Sequence, residues 1–419
     1  MEKLEVFGDK RLKGQVIISG SKNAALPILA STLLSSKKIY LRNLPKVRDI
    51  ETMLKLLQSL GAKIKFIKNK KIILVENNKK TKTFASYNLV KTMRAGILVL
   101  GPLLARFGRA KVSLPGGCAI GTRPIDIHLK ALSKLGMKYK IINGYVYANA
   151  PKGLIGNKIK FAKVSVGATE NLIIAASLAK GESTLLNCAI EPEIKDLVNF
   201  LNNMGCKIKW IGKRKIKIIG TKKLNEVNYK IMPDRIEAGT YLIAAALTDS
   251  EIKIKEINPK IIKTEIDILK RIGSKIQLKN NEINIKGNKK IRNIKIKTAP
   301  YPGFPTDLQA QMMVLLCKAN GRSEITEKIF ENRFMHVGEL NRMGAKIKIK
   351  GNKAIIEGNI KFQGAQLIAT DLRASVSLIL AAITSKSKST ISRIYHLDRG
   401  YEEIEKKLKK IGVKIKRIK

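Results

Sequence analysis

Six times along this chain a helix-like apolar run ends in a glycine and turns at once into an alternating strand. Leu60-Gly61-Ala62-Lys63-Ile64-Lys65 is the first, followed by Leu135-Gly136-Met137-Lys138, Met204-Gly205-Cys206-Lys207, Ile272-Gly273-Ser274-Lys275, Met343-Gly344-Ala345-Lys346 and Ile411-Gly412-Val413-Lys414. The glycines recur at intervals of roughly 70 residues, and self-similarity at a fixed period marks one supersecondary unit copied along the chain. Before each glycine, segments such as MLKLLQSLG and HLKALSKLG place apolar residues three and four apart, the stripe of an amphipathic helix. The glycine tolerates the left-handed backbone that ends a helix. The lysine and isoleucine alternation after it has the period of a half-buried strand.

Each copy also holds a second, more uniformly apolar helix: Asn23 to Leu34, Thr92 to Leu104, Ala168 to Leu178, Ile236 to Leu247, Asp307 to Cys317 and Asp371 to Ile383. Helices apolar on all sides belong inside a domain. The expected fold is therefore α/β, with buried inner helices wrapped by outer helices and sheets. Its six units divide more readily into two compact domains of three than into one solenoid.

Composition narrows the function classes. No apolar run reaches the roughly 18 residues of a membrane span, and the opening MEKLEVFGDK is not a signal peptide, so a cytoplasmic protein without membrane association is expected. Cys118, Cys188, Cys206 and Cys317 form no C-x-x-C pair, and His128, His336 and His396 are scattered. A structural metal or disulfide framework is not expected. The net charge of +50 raises nucleic acid as a partner. Its lysines, however, are spread through every unit on strand and turn positions, and only 5% of residues are aromatic, which leaves few stacking platforms. The charge reads as a solvated surface able to concentrate polyanionic small substrates, with nucleic-acid binding as the remote alternative.

Chemistry is expected where the repeat pattern breaks. Leu114-Pro115-Gly116-Gly117-Cys118-Ala119-Ile120-Gly121-Thr122-Arg123-Pro124 surrounds one cysteine with glycines and prolines and has no packing stripe. Arg123 and the start of the helix beyond it favour a Cys118 thiolate, drawing its pKa from about 8.5 towards 7. Cys188, Cys206 and Cys317 sit at apolar repeat positions and read as inert core residues.

PGGCAIGTRPIDIH, ending at His128, resembles the catalytic loop of the enolpyruvyl transferases that act on UDP-N-acetylglucosamine. Further segments resemble that family in order: SGSKNAALP from Ser19, KTMRA from Lys91, VSVGAT from Val164, PDRIE from Pro233, FPTD from Phe304, FENRFMH from Phe330, TDLRAS from Thr370 and DRGY from Asp398. Together they cover essentially the whole chain. The resemblance implies two inside-out α/β domains of three repeats, residues 21–231 forming one and 1–20 with 232–419 the other, with the active site in the cleft between them. It implies transfer of the enolpyruvyl group of phosphoenolpyruvate to the 3′-hydroxyl of UDP-N-acetylglucosamine, the first committed step of peptidoglycan synthesis, with no cofactor. The sister enzyme 5-enolpyruvylshikimate 3-phosphate synthase is the nearer alternative.

Carried over by motif, Cys118 is the general acid, which also forms an adduct with phosphoenolpyruvate. Lys22, Arg123 and Arg399 match the cations that grip phosphoenolpyruvate, and Arg94 one that helps to hold substrate at the closed site. Asp307 meets the sugar 3′-hydroxyl as its base. Contacts to the nucleotide sugar fall to Asn23, to Arg123, Pro124, Ile125, Asp126 and Ile127, to Lys163, Val164, Ser165 and Val166, and to Ile329, with Arg333 and Arg373 among the substrate-binding residues. Two structural readings stay open beside these. Thr306-Asp307 has the form of a helix start, Thr capping and Asp at the positive dipole end, and Thr370-Asp371 repeats it one unit later, where Asp371 with Arg373 is an alternative ion pair. Glu191 and Glu193 are equally structural or binding residues. The chain departs from many relatives in having Arg48 where lysine is usual and Tyr301-Pro302-Gly303 before the Asp307 motif. Some members carry aspartate at the loop cysteine and escape fosfomycin; this chain has Cys118.

Overall fold

The computed structural model describes residues 2–8, 11–67, 72–77, 81–116 and 125–419. All six repeat glycines take positive φ, from 94° at Gly344 to 118° at Gly273. That region disfavours any side chain, which explains glycine at each position. The helices they follow are Arg48–Ser59, Asp126–Ser133, Pro192–Asn203, Lys263–Arg271, Val337–Arg342 and Ile404–Lys410. The strands after them are Ala62–Ile67, Lys138–Ile142, Lys207–Gly212, Lys275–Lys279, Ile347–Lys350 and Lys414–Ile418.

Those six strands are less buried than their alternation suggests: all five residues of Lys138–Ile142 and four of five in Lys275–Lys279 are exposed. The cause is their place in the sheets, since each forms the outer edge of a four-stranded sheet. Lysine on an edge strand discourages pairing with another chain, so part of the +50 charge has a local structural use.

The second helix of each unit is the buried one. Every residue of Arg235–Leu247 and of Gln309–Leu316 is buried, as is all of Lys22–Ser31 except Asn23. Helix boundaries differ from the sequence reading at three places, the first being Thr32–Leu34, a 3-10 turn that closes the Lys22–Ser31 helix. Residues 94–99 form a 3-10 turn before the α-helix Leu100–Phe107, because Pro102 has no amide to bond back into the preceding turn. Thr306–Leu308 is likewise a 3-10 turn leading into Gln309–Leu316.

The chain splits into two compact units, one made of the described residues from Gly20 to Met232, the other of the chain up to Ser19 with Pro233–Lys419. Each is mixed α/β with three four-stranded sheets, and every sheet has one parallel pair followed by two antiparallel pairings. In the first unit the late strand Val227–Lys230 lies parallel to Ile39–Arg42 and completes the first repeat's sheet. In the second, Lys3–Phe7 pairs with both Ser389–Ser392 and Lys414–Ile418, while Lys13–Ile17 lies parallel to Glu251–Lys255. Each unit has its own apolar core, built largely from the uniformly apolar helices. No described helix is long and apolar enough to cross a membrane.

Candidate active site

In the first unit Lys22 begins the helix Lys22–Ser31, whose N-cap Ser21 accepts from the Ala24 amide at 3.3 Å. Gly20 precedes it because a Cβ there would run into the Asn43 carbonyl oxygen. The Lys22 ammonium is buried and stands 3.1 Å from Asp49 Oδ2. Asn23 lies half-buried in the same first turn, while Arg48, next to Asp49, is exposed.

His128 gathers three of the segments singled out in the sequence. Its Nδ1 accepts from Asn171 Nδ2 at 3.2 Å, and the same amide holds the backbone of Ile97 and Gly101. Burial, aided by the nearby Arg94 charge, pushes the imidazole down to about 3, so it is neutral at pH 7. Gly167 packs against the ring, where a Cβ would lie 3.2 Å from Cε1. Gly167, just past the Ser165–Val166 helix start, thus meets the ring directly, Asn171 links it to Ile97 in the 94–99 turn, and the Ile125–Ile127 segment leads straight into it. Ile125 is buried, Asp126 exposed and Ile127 half-buried; Lys163 and Val166 are exposed and Val164 half-buried. Ser165 caps the helix Val166–Ala176, whose first amides and positive dipole end suit an anion.

Glu191 and Glu193 are buried, and their charges add to burial in pushing Glu170 up to about 8. Between the ordinary value of 4.5 and 8 the unfolded chain has lost a proton that the folded chain retains. Stability therefore falls as pH rises through that window. Glu170→Gln is expected to gain on the wild type progressively from pH 5 to pH 8, by an amount of the order of 3 kcal/mol. Thermal melts across that range check this; a difference that stays constant with pH would contradict it.

In the second unit Asp307 is gripped from both sides. Arg333 Nη2 donates to Oδ1 at 3.0 Å, and Arg373 donates to Oδ2 through Nη2 at 3.0 Å and Nε at 3.2 Å. The cations are 6% and 3% exposed at the side chain, Asp307 26%. The carboxylate thus faces outward from a buried cationic backing. Burial opposes the Arg373 charge, but the charge and hydrogen bonds of Asp307, together with Tyr401 and Asp234, outweigh it and hold the guanidinium well above its usual range.

Two structural readings are corrected here. Thr306 does not cap: its hydroxyl donates to Glu327 Oε2 at 2.9 Å, and the residue before the turn, Pro305, makes no side-chain cap. Asp371 is the capping residue, accepting the amides of Arg373 at 2.8 Å and Ala374 at 3.1 Å. Arg373 thus gives its backbone to Asp371 and its side chain to Asp307.

Behind Asp307, Gln311 Nε2 donates to the Asp307 carbonyl at 3.1 Å and to Thr240 and Tyr401, each at 3.2 Å. Arg399 ends the 3-10 turn Ile394–Arg399, half-buried. Its neighbour Asp398 is clamped by Arg417 at 2.7 and 3.1 Å. Ile329 is half-buried, and its amide donates to Glu327 at 2.7 Å. Cys118, Arg123 and Pro124 lie outside the described residues. Burial pushes Cys188 and Cys317 up to about 12 and Cys206 to about 11, which keeps them as thiols.

Asn171, Gln311 and Glu327 were not singled out in the sequence, and His128 stood there only as the end of the PGGCAIGTRPIDIH motif. A polar residue inside an otherwise apolar helix, as Asn171 and Gln311 are, was the available signal. Cavities of 560 and 450 Å³ lie instead beside the sheet containing Arg109–Ser113 and Tyr145–Asn149, the second of them at the Asn143-Gly144 turn, and none of the candidate site residues lines them.

Residues 6–408 match the family model described as EPSP synthase (3-phosphoshikimate 1-carboxyvinyltransferase). A protein of Pelagibacter ubique named UDP-N-acetylglucosamine 1-carboxyvinyltransferase is 76% identical over 418 residues, all of both chains. One of the same name from Geobacter metallireducens is 53% identical, again over all of both. Among solved structures, the enolpyruvyl transferase NikO from Streptomyces tendae superposes with a TM-score of 0.89 at 24% identity, over 99% of this chain and 98% of that one. EPSP synthase from Acinetobacter baumannii gives 0.77 at 17%, over all of both chains. At these identities the structures speak for the fold.

Proposed function

This chain belongs to the EPSP synthase family of carboxyvinyltransferases, and on that premise we infer that it transfers the enolpyruvyl group of phosphoenolpyruvate to the 3′-hydroxyl of UDP-N-acetylglucosamine, releasing phosphate. Full-length identity of 76% to a protein named for that acceptor carries the choice over shikimate 3-phosphate.

The transfer needs an acid, a base and anion-binding cations. A proton must reach the methylene carbon of phosphoenolpyruvate while the sugar oxygen bonds to the adjacent carbon and loses its own proton. The resulting tetrahedral adduct then loses a methyl proton and phosphate, which restores the double bond. Cys118 supplies the first proton, and Asp307 takes the one from the sugar. Asp307 suits that role because its carboxylate is partly exposed while both guanidinium groups behind it are buried, so it is oriented without being enclosed. Lys22, Arg123 and Arg399 hold the carboxylate and phosphate, arginine through its planar fork. Arg94, Arg333 and Arg373 complete the cationic surroundings.

Asn23, the 123–127 segment, the 163–166 segment and Ile329 hold the nucleotide sugar, largely through backbone amides at a helix start. Neutral His128 supports these segments without adding a charge to compete for the diphosphate. We further read each unit as an inside-out α/β domain with its inner helices enclosed, and the protein as cytoplasmic, acting in the first committed step of peptidoglycan synthesis and hence in cell-wall growth, cell shape and division.

Product analysis tests the acceptor. Mass spectrometry should find an enolpyruvyl ether on UDP-N-acetylglucosamine and none on shikimate 3-phosphate; the reverse would move the protein to the sister activity. Fosfomycin is expected to alkylate Cys118 and inactivate the enzyme, since a thiolate opens the epoxide while neighbouring cations hold its phosphonate. Intact-mass and peptide analysis should show one adduct at Cys118, and an adduct elsewhere, or none, would contradict it.

A further inference from the structure

Glu327 stands two residues before Ile329, is 3% exposed, and has no part in the transfer chemistry described so far. Its Oε1 accepts from the Thr298 hydroxyl at 2.8 Å, the Ile329 amide at 2.7 Å and the Phe330 amide at 3.3 Å; its Oε2 accepts from the Thr306 hydroxyl at 2.9 Å. Among the described residues every one of these donors is neutral. Thr298 Oγ1 in turn accepts from the Lys328 amide at 2.9 Å, which ties the same loop a second time.

Burying a carboxylate is costly unless hydrogen bonds replace its water. Here the replacements come from three separate segments: the end of the Lys295–Lys297 strand, the turn that carries Asp307, and the loop that carries Ile329 and leads to Arg333. Satisfying one buried anion therefore requires all three to meet. The turn is held through Thr306 while the Asp307 side chain is held separately by Arg333 and Arg373.

We propose that Glu327 is a positioning residue that sets the separation between the Asp307 carboxylate and the Ile329 backbone, so that the sugar hydroxyl and the nucleotide end of the acceptor are registered against one buried anchor. This rests on the functional reading above. A carboxylate bonded to two loops transmits a displacement of either to the other, and a misplacement of about 1 Å at the reacting groups costs on the order of 100-fold in rate.

Steady-state kinetics on full-length variants separate the two arms of the anchor. Turnover of UDP-N-acetylglucosamine by the wild type is measured first, and its absence would remove the functional reading itself. Thr306→Val keeps the side-chain shape and cuts only the Asp307 arm. It should lower kcat at least about tenfold while leaving the KM for UDP-N-acetylglucosamine unchanged, with only a modest fall in melting temperature from the donor that Glu327 Oε2 loses. Glu327→Ala cuts both arms and should lower kcat and raise that KM. Glu327→Gln keeps an oxygen for the Ile329 amide, and the Thr306 hydroxyl can turn to accept from its NH2 group, so kcat should return to within about threefold of wild type. A wild-type kcat in folded Thr306→Val would overturn the proposal. So would losses in all three variants that merely track the folded fraction, since a purely structural carboxylate would give that pattern.

Discussion

Asp307→Asn is expected to lower kcat by about 10² to 10⁴, the range for removing a positioned general base. The isostere keeps one acceptor oxygen for Arg333 or Arg373 but turns an NH2 group towards the other guanidinium, so two donors meet where donor met acceptor. Some stability is lost for that reason. The kinetic effect must therefore be read on protein whose folded fraction has been measured. If Asp307 only orients the hydroxyl, the loss should fall mainly on KM and stay below about tenfold in kcat. A pH–rate profile adds a second readout, because loss of the base should remove the acidic limb of kcat.

Arg373→Met should have the largest effect on stability. Its guanidinium is buried, packs 5.4 Å from the Tyr401 ring centroid and, among the described residues, makes two of the three guanidinium hydrogen bonds to Asp307. Breaking a buried ion pair from one side typically costs about 3–5 kcal/mol. The lower end applies here, since Asp307 is partly exposed and keeps Arg333. About 3 kcal/mol corresponds to a fall of roughly 10 °C in melting temperature for a unit of this size. The helix cap should survive, because Asp371 binds the Arg373 amide and not its side chain. Arg373→Lys should recover little, as an ammonium cannot reproduce the two-bond contact. A melting temperature within about 2 °C of the wild type would show that Arg333 alone holds the carboxylate.

The repeat architecture was legible because it depends on local chemistry. A left-handed residue after each outer helix, a uniformly apolar inner helix and an alternating strand all leave marks within a few residues. Sheet completion leaves none. Nothing near Val227 announces its pairing with Ile39, and nothing near Lys3 announces Ile418. The exposed character of the post-glycine strands followed from that same long-range order, because alternation alone does not tell an edge strand from an inner one.

The site was legible through its motifs and less so through its physics. Thr306-Asp307 and Thr370-Asp371 are the same dipeptide, yet one aspartate caps a helix and the other sits between two arginines. The difference lies in partners distant in sequence, Arg333 and Arg373 for the Asp307 carboxylate and Glu327, 21 positions on, for the Thr306 hydroxyl. His128 carries no metal-ligand spacing; its value is as a neutral ring against Gly167 and Asn171, which appears only after two helices have packed. Buried partners of this kind are invisible to periodicity, because each looks like an isolated polar residue in an apolar stretch.

Phosphate release from phosphoenolpyruvate, measured in parallel with UDP-N-acetylglucosamine and with shikimate 3-phosphate and with Cys118→Ala alongside, tests the central claim most directly. Release with the nucleotide sugar alone, lost in the variant, is the expected result. Release with shikimate 3-phosphate, or undiminished release from Cys118→Ala, would contradict the account of acceptor or of acid respectively.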